Sequence, residues 1–78
     1  MYSSRRTNLG IIQSSIEQIT SQLRDLVDTE QERYDSRSER WQESEKGEQM
    51  QDALDRLEEA VDALTDASAN IDDVLEVM

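Results

Sequence analysis

Branched aliphatic residues recur at alternating intervals of three and four in both halves of this chain, and no proline interrupts either run. In the first half they fall at Leu9, Ile12, Ile16, Ile19, Leu23 and Leu26, a spacing that gathers side chains on one face of an α-helix. The second half continues the pattern at Met50, Leu54, Leu57, Val61, Leu64, Ser68, Ile71, Leu75 and Met78, with one serine in the row. The period-two alternation of a half-buried strand occurs nowhere. Gln, Glu, Leu, Ala and Arg supply 36 of the 78 residues, and glycine occurs twice, which favours helix. The expected fold class is all-α.

Between Leu26 and Met50 the apolar row fails, and only Val27, Tyr34 and Trp41 are large and apolar there. A turn near residue 40 lets the two halves pair as antiparallel helices whose facing residue numbers add to about 80. Leu9 then meets Ile71, Ile12 meets Ser68, Ile16 meets Leu64 and Leu23 meets Leu57. The expected architecture is one domain over residues 1–78, an antiparallel, coiled-coil-like two-helix hairpin. Its first helix covers about residues 5–35, the turn 36–43 holds Trp41, and the second helix covers about 44–77. Ser44 is a suitable N-cap, with Glu45 and Glu48 near the positive end of the helix dipole. Gly47 reads as a residue tolerated in a first turn. Ser36 and Ser38 read as loosening the linker, and Trp41 is expected to fold inward on Tyr34 and close that end of the helix pair.

The stretch from Ser38 to Leu64, SERWQESEKGEQMQDALDRLEEAVDAL, resembles a turn-and-cap pattern of small acidic helical proteins from bacteriophages and bacterial mobile elements. The matching positions are Ser38, Glu39, Trp41, Gln42, Ser44, Gly47 and the run Leu57, Glu58, Glu59, Ala60. The match covers about a third of the chain and is moderately specific. It implies a phage or prophage origin and a two-helix hairpin, and it carries over no functional residues.

A chain of 78 residues buries a small share of its surface. With no cysteine for disulfides and no histidine for zinc, association is the staple left to it. Ala53, Ala60, Ala67 and Val74 recur every seven residues beside the second apolar row. They widen that stripe to three positions in seven, a width suited to a bundle. Two hairpins are therefore expected to form a homodimeric four-helix bundle through these residues. Alanine selected only for helix propensity explains the same row.

The net charge of -11 is uneven. Residues 1–43 carry six Arg against eight acids, and residues 44–78 carry one Lys and one Arg against eleven acids. Glu48, Asp52, Asp55, Glu59, Asp62 and Asp66 follow three-four spacing on the face away from Leu54 and Leu57, and the row resumes at Asp73 and Glu76, which makes a carboxylate ridge with neighbours about 5–6 Å apart. Such a ridge can serve as a solvated face that keeps a bundle soluble. It can also imitate nucleic-acid phosphates to a DNA- or RNA-handling protein, or bind cations or a basic partner.

Other functions are poorly supported. Arg5 and Arg6, and Arg33, Arg37 and Arg40 near the turn, are interleaved with acids, so these arginines read as local ion pairs and direct nucleic-acid binding is not expected. Without His or Cys the nucleophile and metal motifs are missing, so no enzyme, cofactor or metal site is expected. The N-terminus lacks the apolar core of a signal peptide and no apolar run reaches 18 residues, so no membrane association is expected and the cytoplasm is the expected compartment. Two functional classes remain. One is a phage-encoded interaction module that blocks a host nucleic-acid-handling protein by charge mimicry. The other is a structural or assembly scaffold that packs helices of other phage proteins.

Overall fold

A computed structural model of the chain describes the backbone from Tyr2 to Met78 and the side chains from Ser4 onward. The described residues form three helices and no strand: α1 (Tyr2–Asp35), α2 (Glu39–Gln42) and α3 (Glu45–Val77). The molecule measures 59 × 15 × 13 Å, and α1 and α3 run in opposite directions along its length. Arg6 Nη1 donates to the Leu75 carbonyl at 2.8 Å and Gln13 Nε2 to the Ser68 carbonyl at 3.1 Å. The numbers of both pairs add to 81 (6 with 75, 13 with 68).

Residues 36–44 are tied down rather than loose. Ser36 Oγ donates to the Arg33 carbonyl, and Ser38 caps α2 by accepting from the Trp41 amide at 3.2 Å. Gln42 Nε2 donates to the carbonyls of Tyr34 at 2.9 Å, near the end of α1, and of Arg37 at 3.2 Å, in the link that follows it. Ser44 caps α3 by accepting from the Gly47 amide. The expected irregular turn therefore contains a helical turn of its own, started by one serine and separated from α3 by another.

The α1 row that meets α3 differs from the row expected from spacing. Ile12, Ile19 and Leu26 are 50%, 52% and 51% exposed, while Thr20 and Val27 one position later are buried. The seam runs through Leu9, Gln13, Ile16, Thr20, Leu23, Val27 and on to Tyr34. Continuity toward the turn accounts for the rotation: the row through Val27 reaches Tyr34, whereas the row through Leu26 reaches Arg33 at the next seven-residue step. Polar members of the seam are satisfied locally. Thr20 Oγ1 donates to the Ile16 carbonyl at 2.6 Å, and Gln13 bonds Ser68 and Asp72. The serine in the α3 row thus meets Gln13 and not Ile12.

Among the described residues the buried apolar side chains are Val27, Leu54 and Val61, and of these Leu54 is fully enclosed. The Thr20 hydroxyl is a spare donor, because the Ile16 carbonyl already accepts the helical amide bond. Thr20→Val leaves no orphaned group, so the expected result is a gain of about 0.5–1 kcal/mol in denaturant unfolding monitored by circular dichroism.

Candidate functional site

The antiparallel pair has two unlike flanks. On the first, Arg24 Nη2 donates to Thr65 Oγ1 at 3.4 Å, Ser68 Oγ to Glu17 Oε1 at 3.4 Å, and Gln13 Nε2 to Asp72. These residues border a shallow polar groove of about 380 Å³ that Thr20 and Ser21 also line. It is a seam edge along which Glu17, Arg24, Thr65, Ser68 and Asp72 are hydrogen-bonded between the two helices.

The opposite flank is apolar. Seven-residue steps along α1 give the row Arg5, Ile12, Ile19, Leu26 and Arg33, and along α3 the row Lys46, Ala53, Ala60, Ala67 and Val74. In this register Ile12, Ile19 and Leu26 lie within two residues of the levels of Ala67, Ala60 and Ala53. Ala53 and Val74 are exposed, and Ala60 and Ala67 half-buried. A hollow of about 260 Å³ opens here among Ile19, Gln22, Leu23 and Leu26. The rows just outside are Asn8, Ser15, Gln22 and Thr29 on α1, and Gln49, Arg56, Ala63, Asn70 and Val77 on α3. None of the 19 Asp and Glu residues of the chain lies in any of these four rows. Reading only the alanine row from sequence finds half of this surface. Sorting acids by helical row would have found the rest.

The carboxylate ridge occupies the outer side of α3. Glu48, Asp52, Asp55, Glu59, Asp62, Asp66, Asp73 and Glu76 are all exposed, and Asp55 accepts from Gln51 Nε2 at 2.9 Å. Among the described residues no three carboxylates converge closely enough to hold a metal ion. The ridge is a line of separated charges facing water.

At the turn, Trp41 meets Tyr34 edge-on, with ring centroids 5.9 Å apart at 66°. The Arg37 guanidinium lies over the indole, 4.0 Å from the ring centroid, a cation–π arrangement. Arg33 pairs with Glu30 at 3.3 Å. Of the arginines expected to form local ion pairs, Arg33 does so and Arg37 instead stacks on tryptophan. With Met50 these residues line a hollow of about 230 Å³. Among the described residues, no helix is long and apolar enough to cross a membrane. No protein-family model, curated protein or solved structure matches this chain.

Proposed function

We propose that this chain is a non-enzymatic protein–protein interaction module. In this reading its two-helix hairpin dimerises into a four-helix bundle and displays the α3 ridge to a basic, nucleic-acid-handling protein of a bacterial host. One observation carries the reading: eight carboxylates stand exposed along the outer side of one helix, six of them at unbroken three-four spacing from Glu48 to Asp66, beside a flank that holds none. Charge on a fold this small is sorted, not scattered, and a sorted anionic line matches a groove built for phosphates. The resemblance of residues 38–64 to phage proteins supports a phage origin and, with it, the host cytoplasm as the place of action.

A second reading is favoured by the exposed Ile12, Ile19 and Leu26 row. In that case the chain is an assembly scaffold that packs helices of other phage components, and its acidity serves only solubility.

The triple variant Asp55→Asn, Glu59→Gln, Asp62→Asn separates the two readings. All three side chains are exposed and away from the seam, so helix content by circular dichroism should be retained or raised, since crowded like charges on a helix are destabilising. A charge-mimicking module should lose its partner in a pull-down from host lysate, and the wild-type complex should weaken as salt rises. Capture of the same partner with unchanged affinity and salt dependence supports the scaffold.

A further inference from the structure

We propose that the carboxylate-free flank is the seat of a second copy of this chain, with each copy's isoleucine row lying over its partner's alanine row. This rests on the dimer proposed above and assigns its contact face and its register.

Surface area is the first argument. The chain exposes 6083 Å², whereas a compact protein of 9.0 kDa is expected to expose about 4,900 Å². The radius of gyration, 17.6 Å, compares with about 11.5 Å for a compact domain of this length. About 1,200 Å² per chain is thus surface that a compact fold would cover. The flank itself has a suitable size. From Lys46 to Val77 it extends roughly 45 Å at 1.5 Å per residue, and at the 15 Å width of the molecule two copies would bury about 1,400 Å², within the range of stable specific interfaces.

Charge selects the occupant. A partner of the same net charge, -11, can approach only where carboxylates are missing, and the flank supplies four rows without one. The outer face of α3, the opposite flank and the second half of α1 all carry acids, which would meet across a contact made there. A second chain docked here keeps both ridges on the outside of the bundle.

Shape selects the register. Ile12, Ile19 and Leu26 stand within two residues of the levels of Ala67, Ala60 and Ala53 of the same chain. A two-fold axis along the bundle keeps each level, so every large side chain of one copy meets a small one of the other, and the two layers stay evenly spaced. Turning one copy end over end would set α1 on α1, with isoleucine against isoleucine along one edge and alanine against alanine along the other. That arrangement wedges the layers apart.

Light scattering should therefore give twice 9.0 kDa at about 100 µM. The dimer fraction should rise with salt, because screening relieves repulsion between like-charged copies, which is the opposite of the trend expected for an ionic host partner. Ile19→Glu should yield monomer, while Ile11→Glu, at a 60% exposed position outside the flank, should leave the dimer intact. For the register, chains carrying Ile19→Cys are mixed with chains carrying Ala60→Cys and oxidised; no native cysteine interferes. A mixed disulfide dimer is expected, and a predominant Ile19→Cys homodimer would overturn the register. A wild-type monomer would overturn the whole proposal together with the dimer it rests on. A dimer indifferent to Ile19→Glu would remove this face and leave dimerisation standing. None of these outcomes alters the ridge experiment, whose readout is capture of the host partner.

Discussion

Leu54→Ala is expected to destabilise the fold by about 3 kcal/mol, seen as a fall of roughly 15 °C or more in the thermal midpoint by circular dichroism. Leu54 has no exposed surface, and the register of 81 sets it opposite Val27, itself buried. A layered domain spreads its burial over many side chains and can relax around a lost isobutyl group. Here two helices meet along one seam with Val27, Leu54 and Val61 as its buried apolar members, and no third element can move in to fill the space. Leu54→Met, which nearly conserves volume, should cost less than about 1.5 kcal/mol. Equal losses from both variants would show that the seam is not packed around this residue.

The α3 helix was legible because its sequence is consistent at every level. Ser44 precedes the acidic first turn, the aliphatics keep strict spacing from Met50 to Met78, and the acids keep their own spacing on the outside. The structure accordingly starts α3 at Glu45 and buries Leu54 and Val61. The α1 helix was less legible because its apolar band is wider than one seam. Ile12, Ile19 and Leu26 compete with Gln13, Thr20 and Val27 for the inner row, and a hydrophobicity count chooses the isoleucines. Two physical facts reverse that choice. Thr20 and Gln13 find hydrogen-bond acceptors within the pair, which lowers the cost of burying them, and only the Val27 row leads to Tyr34 and its ring contact with Trp41.

The same misreading hid half of the apolar flank. A row counted as core cannot also be counted as surface, so the alanines on α3 were read as widening the α3 stripe alone, without the bulky α1 row beside them. The ridge needed no such correction, because exposed charge is read from spacing alone. The arginines near the turn were harder, since interleaved acids suggested ion pairs and the stacking of Arg37 on Trp41 depends on the fold of residues 36–44. The direction in which a side chain leaves a capped turn is not written in helical period.

Gly47→Ala and Gly10→Ala should shift stability in opposite directions, and the sign at Gly47 tests how the turn is built. Helix propensity alone favours alanine over glycine by up to about 1 kcal/mol at each site. Gly10 obeys that rule, because a Cβ there would meet nothing within 4 Å, and Gly10→Ala should stabilise by about 0.5–1 kcal/mol. Gly47 is buried in the first turn of α3, and a Cβ on it would collide with the carbonyl oxygens of Trp41 and Gln42. Those oxygens belong to backbone that cannot yield freely. Trp41 O accepts the Ser44 amide at 3.0 Å and the Ser44 hydroxyl, and the Gln42 side chain is anchored to the end of α1. Gly47 is therefore required by the close approach of α2 to α3, not merely tolerated. Gly47→Ala should destabilise by about 2 kcal/mol, within the range of overpacking against a well-packed site. The damage should be local to the corner as well as global. Trp41 is the single tryptophan of the chain, so its emission should shift to the red as the indole leaves Tyr34 and Arg37 for water. A stabilised Gly47→Ala protein with unchanged Trp41 emission would show that α2 does not lie against the start of α3.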